Sequence, residues 1–279
     1  MALLASIIIS VLAGTFVGLV GSRLPHSPAV RDVPRVRAAA RWDPDVATGL
    51  ALTLALILIV LGGLVLAVLA FAVRGAQGGI GLDRSAAAWG SEHATGFSGD
   101  VLNAMTDVGR PNSIVALAVV LAVVETWRTR DRWVVPFLLI VVAGNGIVTT
   151  TIKNVVERVR PTLNPIAETL GPSFPSGHSS WSAAFFAAAA LVLSRGRGRR
   201  ARIVLAGVAV GLAVAIASTR VLLAVHWLSD VIAGLALGWA WFAACAIAFG
   251  GRLLRFGAAA EAAGGQLPTS ATTAGTRRL

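Results

Sequence analysis

A chain of 279 residues with 56% hydrophobic and only 13% charged residues is too apolar for an ordinary soluble domain, in which about a quarter of residues are charged. A mean hydropathy of +0.78 also indicates an integral membrane protein. The net charge of +11 does not indicate nucleic-acid binding, because the arginines occur in short clusters between apolar runs, as in the cytoplasmic loops of membrane proteins. The single cysteine, Cys245, excludes an intramolecular disulfide.

Seven apolar runs are candidates for membrane-spanning helices, each of which needs about 20 residues. They cover residues 2–20, 48–73, 113–127, 132–152, 179–194, 203–219 and 227–249. The third and fifth runs are short and should extend into their flanks. Residues 1–21 are predicted to be a retained transmembrane helix. The alternative is a cleaved signal peptide, although the run lacks a basic segment before it and a clear cleavage site after it.

The segments outside these runs complete the predicted organisation. Residues 22–47, rich in Pro and Arg, are predicted to be a basic cytoplasmic linker, and residues 48–256 the membrane core. The connection 74–112 is predicted to hold short helices lying along the membrane surface, and residues 257–279 to be a disordered tail. Seventeen of the 24 basic residues fall in connections of one parity. The positive-inside rule therefore places the N-terminus outside and the C-terminus inside.

Three polar patches adjoin the apolar runs on the side with few arginines. They are KNVVERVRP (153–161), PSGH (175–178) and STRVLLAVHWLSD (218–230). The chain crosses the membrane and returns between the second and third patches, so all three should lie on one face. Because ionisable groups at membrane depth are costly, they mark functional sites.

The first patch contains the only lysine of the chain, Lys153, seven residues before Arg160. Two helical turns separate them, so both should project from one face of a helix that ends near Arg160, because Pro161 disfavours helical geometry before it. Two cations at a helix end attract an anion. Alternatively, Lys153 is an interfacial anchor or pairs with Glu157.

The second patch precedes a helix expected to start near Ser179. Ser176 and Gly177 would then lie at a helix N-terminus, where backbone N–H groups bind phosphate. A turn before a helix is the alternative interpretation. Asn145, within the fourth run, is predicted to make a helix–helix hydrogen bond.

The third patch places Asp230 four residues after His226, so the carboxylate can hold one ring nitrogen protonated and leave the other free as a nucleophile. A satisfied polar pair is the alternative. Arg220 lies six residues before His226, so a helix break between them is needed for both to reach one site. His26 and His93 have no such neighbours and receive no role.

These elements resemble the signature of the type 2 phosphatidic acid phosphatase (PAP2) superfamily, K-x6-RP, PSGH and SR-x5-H-x3-D. The first two elements match in full, and the third has Thr219 where serine is usual, with Ser218 one position earlier. The resemblance covers residues 48–249. It implies an all-α polytopic membrane helix bundle with a six-helix core, to which the first span is an addition.

The resemblance also implies a mechanism. His226 would attack phosphorus to form a phosphohistidine, Asp230 would orient it, and His178 would be the general acid. The implied phosphate-binding residues are Lys153, Arg160, Ser176, Gly177 and Arg220. A neutral His226 and a protonated His178 predict a bell-shaped pH dependence. No metal and no cofactor are implied.

The implied partner is a lipid phosphate or diphosphate at the extracytoplasmic face of the cytoplasmic membrane. Polyprenyl diphosphate is the first choice, followed by phosphatidylglycerol phosphate and phosphatidic acid. A lipid phosphotransferase using the same phosphohistidine, or a non-catalytic protein that binds or moves a phosphorylated lipid, remains an alternative. The sequence leaves the oligomeric state open.

Overall fold

The computed structural model describes residues 1–23, 44–74, 80–162 and 171–253, which form helices and loops without any strand. Most of the predicted linker, the predicted disordered tail and His26 lie outside these residues. The helices are α1 (Ala2–Arg23), α2 (Pro44–Arg74), α3 (Gly81–His93), α4 (Gly96–Val108), α5 (Pro111–Thr129), α6 (Val134–Leu139), α7 (Asn145–Val156), α8 (Gly177–Ser194), α9 (Arg199–Leu222) and α10 (Leu228–Leu253). A π-helical turn, Ile140–Gly144, joins α6 to α7.

The predicted all-α membrane bundle is confirmed, and each of the seven predicted runs is helical. Within the described residues, six segments are long and apolar enough to cross a membrane: Ala2–Val20, Ala51–Arg74, Pro111–Thr129, Val134–Val156, Arg199–Leu222 and Leu228–Gly250. The fifth predicted run, α8, is not among them because its first turn, GHSSWS, is polar. None of its residues is exposed, so its polar turn faces protein.

Helices α8 and α10 run side by side from the same end of the bundle. Glycines on α10 allow the close approach, since a Cβ on Gly234 would lie 2.5 Å from the Ser176 carbonyl oxygen. At the far end, Val192 packs in one cluster with Cys245 and Phe249. Helix α9 packs against α8 and ends where α10 begins, so it runs in the opposite direction. The starts of α8 and α10 and the end of α9 therefore lie together.

The additional N-terminal helix α1 packs along α9 through small residues. A Cβ on Gly14 would lie 2.7 Å from the Gly207 carbonyl oxygen. The hydroxyls of Ser6 and Ser218 are 2.7 Å apart. Close contact through glycine and interhelical serine hydrogen bonds is typical of helix pairs inside membranes. Retention of this helix stays a prediction.

The connection 74–112 does contain two short helices, α3 and α4, as predicted. The prediction that both lie along the membrane surface does not hold for α3, which packs against α9 and α10. Gly90 of α3 fits closely there, since a Cβ on it would lie 2.6 Å from the Leu222 carbonyl oxygen. Asp83 in its first turn is only 2% exposed. This segment therefore contributes a charged side chain to the interior beside the candidate site.

Candidate active site

The structure brings the three predicted patches together at one end of the bundle. Arg160 of the first patch lies with Nη1 at 2.9 Å from Nε2 of His226 in the third. The backbone N–H of Ser176, in the second patch, donates to the Asp230 carbonyl oxygen at 2.9 Å. Residues that are up to 70 positions apart in the chain thus meet around His226.

A reversal of the chain between α9 and α10 positions His226. Helix α9 ends at Leu222, and Ala224 adopts a left-handed conformation with φ of 51°. The carbonyl oxygen of Arg220 accepts the N–H groups of Val225 at 3.2 Å and His226 at 3.1 Å. The predicted helix break therefore exists, and it holds Arg220 and His226 side by side.

His226 precedes α10 rather than lying on it, yet it still meets Asp230 in the first turn of that helix. Nδ1 of His226 is 3.4 Å from Asp230 Oδ2, which also accepts the Trp227 N–H at 3.0 Å. A proton on Nδ1 directed at the carboxylate leaves Nε2 without a proton, so its lone pair accepts a hydrogen bond from Arg160. Burial lowers the pKa of His226 well below its usual range, and the charges of Arg160, Arg220 and Lys153 lower it further. The ring is therefore neutral, and Nε2 is the nitrogen that carries the lone pair.

The first patch departs from its predicted geometry. Helix α7 ends at Val156, because Glu157 turns left-handed with φ of 48°. Lys153 and Arg160 therefore do not share a helix face. They meet in space because both donate to the Pro172 carbonyl oxygen, Lys153 Nζ at 2.6 Å and Arg160 Nη2 at 3.3 Å. Glu157 is exposed and forms no ion pair with Lys153 in the described part of the chain.

Arg160 is fixed by backbone carbonyls on several sides. Its Nε donates to Gly171 O at 2.9 Å and its Nη1 to Val225 O at 3.0 Å. Burial lowers the pKa of this guanidinium, and the nearby Asp230 carboxylate opposes that shift. An arginine remains charged under such a shift because its reference pKa is above 12. A fixed positive charge therefore lies directly against the candidate nucleophilic nitrogen.

Arg220 is buried, and its Nη1 donates to the Thr106 hydroxyl oxygen at 2.8 Å. Thr219, which stands where the signature has serine, donates to the same oxygen at 2.9 Å and is itself fully buried. The hydroxyl of Thr219 thus holds Thr106, the side chain that binds Arg220, and a serine hydroxyl could make the same hydrogen bond. The serine one position earlier, Ser218, faces α1 instead. Thr106 on α4 was not identified from the sequence.

The PSGH patch forms the start of α8, which begins at Gly177 rather than near Ser179. Ser176 is the N-cap residue, but its side chain makes no capping hydrogen bond, and its hydroxyl accepts from Ser179 at 3.0 Å. A Cβ on Gly177 would meet nothing within 4 Å. The first N–H groups of α8 therefore have no side-chain cap among the described residues.

His178 lies in this first turn, within electrostatic range of Arg220, His226 and Arg160. Its Nε2 is buried and has no hydrogen-bond partner in the described residues. A substrate oxygen bound between His178 and His226 would supply one. This position suits a group that exchanges a proton with substrate.

Two further charged residues border the site and were missed by sequence reasoning. Arg158 is 4% and Asp83 2% exposed, and they form an ion pair of 2.8 Å. Arg158 also pairs with Asp230 at 2.5 Å. Asn145, in contrast, makes the predicted helix–helix contact, accepting from Ser180 at 2.8 Å. Across the described residues no cluster of acidic, histidine and cysteine side chains could hold a metal, and the metal-free mechanism stays a prediction.

A membrane helix bundle with two histidines, an aspartate and three cations at one end suits a membrane phosphatase, and the proteins to which this chain is similar are named phosphatases. Residues 133–253 match the family model described as the PAP2 superfamily, so this part of the chain is similar to members of that family. That range includes all the predicted site residues, whereas Asp83 and Thr106 precede it.

Similar proteins extend this comparison. Phosphatidylglycerophosphatase B of Bacillus subtilis is 28% identical over 144 residues, which are 50% of this chain and 69% of that protein. Lipid A 1-phosphatases of Rhizobium johnstonii and Rhizobium etli are each 36% identical over 121 residues, 39% of this chain. The matches span 45% and 47% of those two proteins, just under half their length.

A solved structure has the same fold. It is the crystal structure of a transmembrane PAP2 type phosphatidylglycerolphosphate phosphatase from Bacillus subtilis, with a TM-score of 0.58 and 25% sequence identity. The match covers 67% of this chain and 93% of that one.

Proposed function

We propose that this protein hydrolyses a phosphomonoester or diphosphate on a membrane lipid through a phosphohistidine at His226. One observation carries the proposal. Nε2 of His226 lies 2.9 Å from Arg160, and a carboxylate lies behind its other nitrogen. Because arginine can only donate, Nε2 must accept and therefore carries a lone pair and no proton. A neutral imidazole held this way is a nucleophile, while cations around it stabilise the charge that develops on a transferred phosphoryl group.

Three cations would hold the phosphoryl oxygens. Lys153 and Arg160 bond to backbone carbonyls and Arg220 to a hydroxyl, and in the described part of the chain none of the three is ion-paired. The uncapped first turn of α8, at Ser176 and Gly177, adds N–H donors. Donors in place before the reaction need no reorganisation as negative charge develops.

The reaction proceeds in two balanced steps. Burial and the charge of Arg220 lower the pKa of His178 in the free protein, so His178 takes up its proton as the phosphate anion binds beside it. The Nε2–P bond of His226 then forms as the P–O bond to the leaving group breaks, and His178 gives that proton to the departing oxygen. Water then attacks phosphorus and returns a proton to His178, the N–P bond breaks, and inorganic phosphate leaves. Asp230 keeps the Nδ1 proton in place through both steps and offsets the positive charge of the phosphorylated ring.

For the substrate, the names of the similar proteins favour a phosphorylated glycerolipid or glycolipid headgroup. We therefore place phosphatidylglycerol phosphate first, with lipid A 1-phosphate, polyprenyl diphosphate and phosphatidic acid beside it. An apolar tail could remain among the lipids while the phosphate enters the bundle end. The arginine distribution supports an extracytoplasmic site. In right-side-out vesicles a membrane-impermeant substrate added outside should then be hydrolysed. If that substrate stays intact, the site faces the cytoplasm instead.

The test is phosphate release by the purified full chain across this substrate panel. His226→Ala should lose at least about 10³-fold in kcat, because the residual rate then comes from binding alone. His93→Ala is the matched control, since that histidine stacks on Trp89, its Nδ1 contacts the Trp89 carbonyl oxygen, and in the described residues it has no hydrogen bond to a candidate site residue. Full activity of His226→Ala would show that His226 is not the nucleophile. Transfer of labelled phosphate to an added alcohol instead of water would assign a phosphotransferase, and binding without turnover a non-catalytic protein.

A further inference from the structure

Arg158 occupies an unusual position behind the candidate nucleophile. Its side chain is 1% exposed and lies between two carboxylates, with Nη2 at 2.8 Å from Asp83 Oδ2 and Nη1 at 2.5 Å from Asp230 Oδ1. Nη1 also donates to Ser229 Oγ at 2.8 Å, and the guanidinium lies 5.5 Å from the centre of the Trp227 ring. Every one of these partners adjoins His226 or the first turn of α10.

Asp83 anchors the other side of this cluster. Its Oδ1 accepts the Ser229 N–H at 2.8 Å, and its Oδ2 accepts the Ser229 hydroxyl at 2.8 Å as well as Arg158. A carboxylate that accepts an N–H in the first turn of a helix caps that helix and is stabilised by its dipole. Asp83 therefore connects the start of α3 to the start of α10, the turn that carries Asp230.

Asp230 has two oxygens with separate tasks. Oδ2 faces His226 and the Trp227 N–H, while Oδ1 is held by Arg158. Rotation of the carboxylate would break the Arg158 contact, so this arginine sets the plane in which Oδ2 meets the imidazole. The two carboxylates and the one guanidinium sum to one negative charge, which balances the positive charge on the ring of a phosphorylated His226.

We propose that Asp83 and Arg158 are positioning residues for the nucleophile, acting through Asp230. The proposal rests on the function proposed above, since it concerns the same histidine. Neither residue touches the phosphoryl group, which binds at Lys153, Arg160 and Arg220. The two roles can therefore be separated: loss of Asp83 or Arg158 should slow the attack on phosphorus without weakening the binding of phosphate.

The first test variant is Asp83→Asn, which preserves shape and can still accept from Ser229 but removes the charge. It should lower kcat about 10- to 100-fold, since misplacement of a reacting group by about 1 Å costs that much. KM and the inhibition constant for inorganic phosphate should change less than about threefold. The rate at which labelled phosphate appears on the enzyme in a single turnover should fall as kcat does. Asp100→Asn is the matched control, because Asp100 is exposed on α4.

The second variant is Arg158→Lys, which keeps the charge but cannot bridge two carboxylates with a fork. It should show the same pattern with a smaller loss, about fivefold or more. Parental kcat in either folded variant overturns the proposal. The proposal is also overturned if kcat and the affinity for inorganic phosphate fall by the same factor, or if both variants fail to fold. Either result would mean that the cluster contributes only to stability. A parent protein that releases no phosphate from any lipid refutes the proposed function itself.

Discussion

A single methyl group added at Gly234 should disturb the candidate site without changing any of its functional side chains. Gly234 lies where α10 crosses the start of α8, and a Cβ there would be 2.5 Å from the Ser176 carbonyl oxygen and 2.9 Å from Ser179 Cβ. Ordinary contacts begin near 3.4 Å. Gly234→Ala must therefore push the first turn of α8 away by about 0.9 Å, and with it Gly177 and His178.

A displacement of about 1 Å in an active site can cost about 10²-fold in rate, which corresponds to about 2.7 kcal/mol. We expect Gly234→Ala to lower kcat/KM by that order. The helix itself should persist, because alanine has a higher helix propensity than glycine. Phosphate release by the purified variant, with circular dichroism as the check on folding, measures the effect.

Gly63→Ala on α2 is the control for this prediction, because a Cβ there meets nothing within 4 Å. It makes the same chemical change in another membrane helix and should keep the parental rate. If Gly234→Ala is within about twofold of the parent, the start of α8 can move without consequence. The contribution of the PSGH turn to catalysis would then be refuted. A comparable loss in Gly63→Ala would attribute the effect to membrane insertion instead.

Three further predictions concern charged groups. Lys153→Arg should insert normally yet lose at least about tenfold in kcat/KM. The reason is that a planar guanidinium cannot reproduce the compact charge of the lysine Nζ, which lies 2.6 Å from the Pro172 carbonyl oxygen. Parental activity of this variant would show that the lysine is only an anchor. Because the pKa of His226 is lowered, its ring should stay neutral below pH 6.5, the usual pKa of histidine, and kcat/KM should stay constant there. A fall of kcat/KM on the acid side with a midpoint at or above pH 6.5 would contradict this. The same shift makes the unfolded chain bind a proton that the folded chain does not, so thermal stability should fall as pH drops below about 6.5.

The helices and the three motif patches could be predicted because their determinants are local. Apolar runs of about 20 residues have few alternatives to a membrane helix. Likewise, a spacing of four residues brings Asp230 to His226 even though the histidine lies just before α10. The helix break after Arg220 followed from the need to bring both residues to one site.

The rest of the site depends on contacts that sequence spacing does not contain. Glu157 adopts a left-handed conformation that ends α7 early, so Lys153 and Arg160 meet through Pro172 rather than along a helix. Arg158 pairs with Asp83, 75 residues away, and no periodicity indicates which of the acids in that connection turns inward. These pairings appear only once the tertiary packing of α3 against α10 is known.

The parallel arrangement of α8 and α10 gives a physical reason for the site to bind an anion. Both helices start at this end, and each N-terminus carries about half a positive charge. Carboxylates already satisfy α10, since Asp83 accepts the Ser229 N–H and Asp230 the Trp227 N–H. In the described residues, α8 has no such side-chain cap, and Lys153, Arg160 and Arg220 add three charges beside it.

Adding Arg158 to these three cations and subtracting the two carboxylates of Asp83 and Asp230 leaves a net charge of +2 at the bundle end. A phosphate monoester carries about −1.5 to −2 at pH 7. We infer that the phosphoryl group itself supplies the cap of α8 and balances this charge. A lipid without phosphate would leave both unsatisfied, so the headgroup, and not the apolar tail, should dominate selection by this site.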